Sequence, residues 1–274
     1  ETGNVDDLES LAAIAQQLGA HFHVDAAWGG GALLMDGARA MMRGIEKADS
    51  VTMDGHKLLY VPNSMGICVF KNVDDSRFLY HTSNYIIRIG SVDQVRFTIE
   101  GSRPFSCLKP WADIKIFGRA GYKHLFDHAS DLQNTFVGLI ERDPLFELIN
   151  KPELFIINYR FIPDELRSLM NKLMKNPGKN SERITTINRL INNLNIELHK
   201  TIRDHDMSFV SRTRIESTKY APRKIVVLRA ITINPNTERN MLKQILNEHR
   251  SIGIKLWRDM KKDCLDSNGR FKTA

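Results

Sequence analysis

The sequence predicts an α/β protein: a largely parallel sheet covered by helices, followed by a small α+β domain. Apolar strands alternate with helical segments over residues 8–70, which is the pattern of a parallel sheet. After the turn signal Asp143-Pro144 the order changes to strand, helix, strand, strand, helix. The 274 residues can bury cores for both parts. We therefore expect domains over residues 1–143 and 144–274.

The first predicted element is a helix between Asn4 and Gly19. Asn4 can cap it, with Asp7 three residues later as an acidic capping box, and Gly19 can end it. Apolar residues recur inside it at helical spacing. The elements expected next are a strand over residues 21–25, a glycine loop at 29–31, a helix within 32–48, and strands over 50–54 and 65–70.

The remaining elements are predicted from the spacing of apolar residues, which differs between helices and strands. An irregular loop is expected around residues 80–90. A long helix follows over residues 108–141, with Gly118 and Gly121 interrupting it. The later elements are a strand at 154–161, an amphipathic helix at 181–203, strands at 207–215 and 224–231, a helix at 237–252 and a loose polar end at 261–274.

Composition excludes several classes of protein. The net charge is +7, but basic residues are interleaved with acids, so we expect no nucleic-acid partner. The sequence contains no run of about eighteen apolar residues, so it predicts no membrane span. Cys68, Cys107 and Cys264 lack metal-ligand spacing, which indicates a reducing, cytoplasmic location and no metal site. The chain does not begin with Met, and we expect further sequence upstream.

Two charged residues stand where the first two predicted strands end. Asp25 closes the run His-Val-Asp-Ala-Ala at residues 23–27, and Lys57 closes Asp-Gly-His-Lys at residues 54–57. Ligands of parallel sheets collect at this edge. A lysine amine can bind the aldehyde of pyridoxal 5'-phosphate, and a buried carboxylate can keep its ring nitrogen protonated. We therefore expect Asp25 and Lys57 to hold this cofactor, with Asp25 buried against the ring.

Other interpretations of these residues remain open. Lys57 can be a surface lysine, and Asp25 can brace a loop or cap a helix. His56 can donate to the cofactor phosphate, brace Lys57 or be structural. Ala27 is small enough for a flat ring to lie close to it, although small alanines are common anywhere.

These motifs resemble those of the group II pyridoxal-phosphate amino-acid decarboxylases. That family pairs His-Val-Asp-Ala-Ala with a downstream His-Lys at this separation, although many members carry Asn-Pro where this chain has Asp54-Gly55. Residues 100–104, Glu-Gly-Ser-Arg-Pro, resemble a turn of the bacterial branch that acts on aspartate or glutamate. The resemblance implies that Ser102 reaches the cofactor phosphate of a partner subunit.

Two further roles are implied by the resemblance. Tyr85 matches the mobile-loop tyrosine that returns a proton after carbon dioxide leaves, with Tyr80 as second choice and an aromatic packing role as the alternative. Arg229 lies in an apolar run and matches an arginine that binds the substrate α-carboxylate. A structural ion pair is the alternative for Arg229.

The resemblance as a whole implies an aspartate aminotransferase-like (fold type I) protein. The chain would comprise the later part of the large cofactor domain and the small C-terminal domain of a homodimer with shared active sites. The implied reaction is α-decarboxylation of an L-amino acid, aspartate or glutamate first and an aromatic amino acid second. A lyase, an aminotransferase, and an inert or dimerising fragment are the alternatives. The ring-stacking histidine and main phosphate loop would lie upstream.

Overall fold

The computed structural model describes residues 1–82, 87, 90, 93–204, 208–216, 218–220 and 223–264. By its contacts the chain divides into two compact units. One is Val5–Phe126, and the other is Glu1–Asn4 together with Asp127–Ala274. The division falls inside a long helix, and the domain boundary expected at residues 143 and 144 stays a prediction.

The first unit contains a three-stranded sheet and short helices. Its parallel pair is the one predicted, whereas the third strand runs antiparallel to the second. The strand order is β1-β2-β3, so β1 and β3 are the edges. The elements are α1 (Leu8–Leu18), β1 (His23–Asp25), α2 (Asp36–Met41), β2 (Ser50–Asp54) and β3 (Gly66–Phe70).

The caps of α1 differ partly from expectation. Asp7, not Asn4, is the N-cap, and its Oδ1 accepts a hydrogen bond from the backbone N–H of Ser10 at 3.2 Å. The Asn4 cap was therefore wrong, because the carboxylate next to the helix satisfies its free N–H groups directly. Gly19 ends the helix as predicted, in the left-handed conformation with φ 60°.

Glycines let the segment after β1 pack closely against β2 and the turn that follows it. Residues Gly29–Leu34 form a 3₁₀ helix rather than an open loop. A Cβ on Gly30 would lie 2.4 Å from Cγ of Met53, and one on Gly31 would lie 2.8 Å from the carbonyl carbon of Leu58. Only glycine fits at these two positions. The packing therefore holds the backbone next to Lys57 in place.

The helix α3 (Leu108–Arg142) has the predicted length and one predicted interruption. Gly118 leaves the helical conformation, with φ 56° and ψ −173°. Gly121 does not interrupt it, since Gly118 is the residue whose dihedrals are non-helical. Within the first unit, the buried Tyr122 hydroxyl donates to the carbonyl of Leu59 at 2.9 Å. This bond ties α3 to the turn that carries Lys57.

Among the described residues, the second unit contains a four-stranded antiparallel sheet, three further α-helices and the end of α3, from Asp127 on. The strand order is β4-β5-β7-β6. This is the predicted α+β arrangement, with β4 and α4 in addition and with α6 longer than expected. The elements are β4 (Phe146–Leu148), β5 (Ile156–Phe161), α4 (Asp164–Leu173), α5 (Ser181–Asp204), β6 (Ser211–Glu216), β7 (Lys224–Ile231) and α6 (Arg239–Cys264).

The main apolar core lies in this second unit. It is formed by buried residues of α4, α5, α6 and the end of α3, which contributes Leu132, Phe136 and Ile140, packed against the sheet. Asn195 joins α5 to β5: its side chain accepts from the backbone N–H of Phe161 and donates to the carbonyl of Phe161, both at 2.8 Å. A buried amide is stable there because its donor and acceptor are both used.

Candidate cofactor site

The ends of β1 and β2 bring most of the predicted cofactor residues to one edge of the sheet. Asp25 pairs with Thr52 in the parallel register. The backbone N–H of Asp54 donates to the carbonyl of Ala27 at 3.1 Å, which joins the segments beyond the two strands. Lys57 follows in a turn whose backbone N–H bonds the carbonyl of Asp54 at 3.2 Å. Asp25, Ala27 and Lys57 thus share the carboxyl edge of the parallel pair, as expected.

Asp25 is exposed, which corrects the expectation that it is buried. The reason is that its side chain projects from the face of β1 opposite to the buried Val24, together with the exposed His23. Oδ1 accepts from the N–H of Ala27 at 3.0 Å and from the hydroxyl of Thr52 at 3.4 Å. Oδ2 has no hydrogen-bond partner among the described residues. Oδ1 is therefore held by two hydrogen bonds, whereas Oδ2 is available to bind a ligand.

Lys57 is partly buried and meets a carboxylate of its own turn. Its Nζ lies 2.9 Å from Oδ2 of Asp54, and 34% of its side-chain surface is exposed. Leu58 and Leu59, directly after it, are buried. The amine is thus accessible while its backbone is held by the packing of the next two residues.

His56 braces the loop that returns to β3. Its Nδ1 lies 2.9 Å from the carbonyl oxygen and 3.2 Å from the backbone nitrogen of Met65. Its Nε2 lies 3.8 Å from Oδ2 of Asp54. His56 thus makes a structural contact through Nδ1, and its Nε2 faces the acid that holds Lys57, while a contact of His56 with the cofactor phosphate stays a prediction.

Asp54 is the site residue that sequence reasoning missed. It was treated only as a departure from the family motif, yet its carboxylate lies between Lys57 and His56. An acid three residues before a lysine in a tight turn was the available signal. Its importance depends on the turn folding back, which the pattern alone does not indicate.

The arrangement fits pyridoxal phosphate at two of its ends. Lys57 provides an accessible primary amine, the group that binds an aldehyde. Asp25 provides a free carboxylate oxygen, the partner of a protonated ring nitrogen. Ala27, with its short side chain, adjoins Asp25. Among the described residues, no three His, Cys, Asp or Glu side chains form a group that could hold a metal.

The other predicted site residues lie on other segments of the chain. Ser102 is exposed in a bend of the first unit. Arg229 lies in the second unit on β7, where Nε donates to the carbonyl of Glu1 at 3.0 Å. Burial lowers the pKa of Arg229, against a smaller raising effect of Glu1. Among the described residues, no carboxylate lies within ion-pair distance of Arg229, although the charge of Glu1 acts on it, and both roles considered for Arg229 stay predictions. Tyr85 lies outside the described residues.

The chain is similar in sequence to known decarboxylases. The family model described as the pyridoxal-dependent decarboxylase conserved domain matches residues 1–162. Aspartate 1-decarboxylase of Aliivibrio fischeri is 37% identical over 252 residues, which are 92% of this chain and 45% of that protein. Aromatic-L-amino-acid decarboxylase of Bacillus atrophaeus is 27% identical over 259 residues, 91% of this chain and 48% of the relative. The chain thus spans about half the length of these relatives.

Two solved structures have the same fold as this chain. Mouse CSAD superposes with a TM-score of 0.77 at 24% identity, covering 92% of this chain and 50% of that one. Oryza sativa TDC with PLP and tryptamine also gives a TM-score of 0.77, at 19% identity, covering 93% and 49%. These likenesses establish the fold type.

Among the described residues, each helix is too short or too polar to span a membrane.

Proposed function

The chain belongs to the pyridoxal-dependent decarboxylase family, and on that premise we propose that it forms part of an enzyme that releases the α-carboxylate of an L-amino acid as carbon dioxide. The observation that carries the proposal is the shared strand edge at which an accessible lysine amine and a half-free carboxylate lie. A surface lysine and a loop-bracing acid would not need to meet at the ligand edge of a parallel pair.

Pyridoxal phosphate, when bound, supplies a ring that withdraws electrons from the substrate carbon. The residues of the chain hold and tune that ring. Lys57 would hold its aldehyde through Nζ, and Oδ2 of Asp25 would accept a hydrogen bond from the protonated ring nitrogen and so keep it charged. Ala27 leaves space for the flat ring, and His56 supports the turn that presents Lys57.

Proton handling is assigned to Lys57 and its neighbours. Asp54 Oδ2, 2.9 Å from Nζ, holds the ammonium proton of Lys57 in a fixed direction. The substrate amine would displace Lys57 from the aldehyde, and the freed amine would then carry the proton that passes to the substrate carbon after carbon dioxide leaves. Tyr85 is the second candidate for this step, on the resemblance of its loop, and Ser102 is proposed to reach the cofactor phosphate of a partner subunit.

An acidic amino acid, aspartate or glutamate, is the substrate we propose. Arg229 would bind its α-carboxylate, because a planar guanidinium suits a carboxylate fork. The 37% identity to a relative named aspartate 1-decarboxylase and the Gly-Ser-Arg-Pro turn both support this choice. An aromatic amino acid is the second candidate, favoured by the relative that is 27% identical.

A homodimer with shared active sites in the cytoplasm is proposed for the whole protein. The exposed free thiols of Cys68 and Cys107 support a reducing compartment. Exposed apolar side chains along the start of α3 support a dimer.

Replacing Lys57 by alanine in the full-length protein tests the proposed function. We expect carbon dioxide release from aspartate or glutamate to fall by at least about 10³-fold, as for the loss of other covalent nucleophiles. The absorbance of the lysine-bound cofactor should also disappear. Lys71→Ala is the matched control, since it removes a lysine from the segment after β3 and should change neither. A Lys57→Ala protein that still decarboxylates would contradict the mechanism. Keto-acid formation by the unaltered protein would indicate an aminotransferase instead.

A further inference from the structure

A continuous row of polar side chains crosses the open face of β1 and β2 and ends at Asp25. His21 Nε2 lies 2.9 Å from the hydroxyl of Ser50, and His23 Nδ1 lies 2.7 Å from the same hydroxyl. On its other side, His23 Nε2 lies 3.5 Å from the hydroxyl of Thr52, which lies 3.4 Å from Oδ1 of Asp25. We call these five residues the polar row.

The chemistry of the groups fixes the direction of the row. An ionised carboxylate only accepts, so the Thr52 hydroxyl must donate its single proton to Asp25. Thr52 can then only accept from His23, which requires a proton on Nε2; in the neutral imidazole Nδ1 is then an acceptor. Ser50 donates to that Nδ1 and accepts from His21. All hydrogen bonds therefore point one way, toward the carboxylate of Asp25.

The parallel register builds this row. His23 pairs with Ser50 and Asp25 pairs with Thr52, so all four side chains project from one face of the sheet. Val24, which alternates with them, is buried on the opposite face. His21, His23 and Asp25 are exposed, so water can also satisfy these side chains and their bonds add little to folding stability, whereas the Ser50 hydroxyl between the two imidazoles is buried. What the row adds is a fixed orientation for the last carboxylate.

We propose that His23, Ser50 and Thr52 are positioning residues that turn Oδ1 of Asp25 into the sheet and Oδ2 toward the ring nitrogen of pyridoxal phosphate. The inference rests on the proposed function and adds residues that act on the cofactor only through Asp25. The two bonds nearest Asp25 are the longest in the row, so Thr52 is the link at which the row can be broken most selectively.

The test is the affinity of the full-length apoprotein for pyridoxal phosphate, measured by titration with the cofactor. Thr52→Val removes the hydroxyl and keeps the shape, so the dissociation constant should rise about tenfold, the size of a hydrogen bond to a charged group. Thr52→Ser should restore the affinity, and the melting temperature of both apoproteins should match the unaltered one.

A double-mutant cycle tests the continuity of the row. His23→Gln should weaken binding in the unaltered protein but add nothing in the Thr52→Val background, because the link to Asp25 is already lost. Additive effects, unchanged affinity of Thr52→Val, or a parallel loss of apoprotein stability would each overturn the positioning role. These outcomes leave the proposed function intact as long as Lys57-dependent cofactor absorbance persists; its absence in the unaltered protein would overturn that function instead.

Discussion

Lys57, Asp54 and His56 form a compact charged group inside one turn. Asp54 Oδ2 is 2.9 Å from the amine and 3.8 Å from the imidazole, and the backbone of Asp54 also bonds the N–H of Lys57. Gly55 between them is buried, and a Cβ there would lie 3.0 Å from Sδ of Met65. A glycine after the acid therefore permits the tight return that brings acid and amine together.

A second charged group is buried in the second unit. The Glu147 carboxylate bonds Nε of Arg160 at 2.8 Å and accepts from the hydroxyl of Tyr220 at 2.8 Å. Lys219 completes the group. Burial alone would raise the pKa of Glu147, but these three partners outweigh it, and the pKa lies below its ordinary value. Among the residues that the structure describes, Glu147 is the acid that forms an ion pair with the fully buried Arg160.

We predict that Glu147→Gln lowers the free energy of unfolding at pH 7 by about 3 kcal/mol, because Arg160 is left buried without a counter-charge. The stabilisation by Glu147 is complete above its ordinary pKa of 4.5 and is lost as the pH falls through its lowered folded value. Urea unfolding from pH 7 to pH 3 should therefore show the two proteins converging in acid.

Glu216→Gln provides the control for this prediction. Glu216 lies on β6 of the same sheet, is 73% exposed and pairs loosely with Lys224 at 4.0 Å. Its replacement should change stability by less than about 1 kcal/mol. If the difference in unfolding free energy between wild type and Glu147→Gln stayed constant down to pH 3, the Glu147 carboxylate would not titrate as its three partners predict.

At the scale of elements, Gly253 shows how a glycine inside a helix serves close packing. It lies in α6, and a Cβ there would be 2.8 Å from the ring of Phe161 on β5. Phe161 is buried, so its ring has little room to move. Gly138 in α3 offers the opposite case, since a Cβ there would meet only the flexible end of Arg142 at 3.5 Å.

We predict opposite effects for these two glycines. Gly253→Ala should destabilise the protein by about 1–3 kcal/mol through overpacking, despite the higher helix propensity of alanine. Gly138→Ala should stabilise it by about 0.5–1 kcal/mol, because only the propensity changes. Chemical denaturation of both variants measures the difference. A stabilised Gly253→Ala protein would mean that α6 does not approach β5 as closely as described.

Gly253 also explains an error of the sequence prediction. The last helix was expected to end at residue 252, before this glycine, but α6 continues to Cys264. A glycine required for packing looks the same in sequence as one that ends a helix, and only the facing Phe161 distinguishes them. By contrast, Gly19 does end α1, because it adopts φ 60° with no side chain nearby.

The elements that the sequence predicted well are those with strong local periodicity. β2 and β7 have the expected bounds, and α5 carries its predicted apolar face. β4 was missed because three residues show no alternation, and its pairing with β5 defines it. α4 was missed because ten residues present only Leu166, Met170 and Leu173 to the core. At the site, Asp25 and Lys57 could be found from strand ends, whereas the exposure of Asp25 depends on which face of β1 is covered.

At the scale of the whole molecule, the two units differ in how they bury apolar surface. The second unit has an extensive core, whereas the first leaves a row of large apolar residues in solvent. These lie three residues apart along the start of α3 and are 47–58% exposed. They are Leu108, Trp111, Ile114 and Phe117. We call this row the α3 stripe; contiguous exposure of this kind marks an interaction surface.

A second copy of the protein is the partner we propose for the α3 stripe. An aromatic residue at its centre, Trp111, is the kind of side chain that dominates protein interfaces. The helix geometry also suits a self-complementary contact, since one amphipathic face can pack on its own copy about a two-fold axis. Another part of the same polypeptide is the rival occupant, and it would bury the stripe within each subunit.

We predict that Trp111→Glu in the full-length protein weakens the dimer by at least about thirtyfold, the effect of losing about 2 kcal/mol at an interface centre. Sedimentation at several concentrations measures this. Leu18→Glu is the control: Leu18 is 75% exposed on α1, outside the stripe, and its replacement should leave the association unchanged. If Trp111→Glu unfolds each subunit without shifting a dimer equilibrium, the stripe is covered from within the same polypeptide. Because the proposed active sites draw on both subunits, dissociation should also reduce decarboxylation, and dilution of the variant should reduce it further.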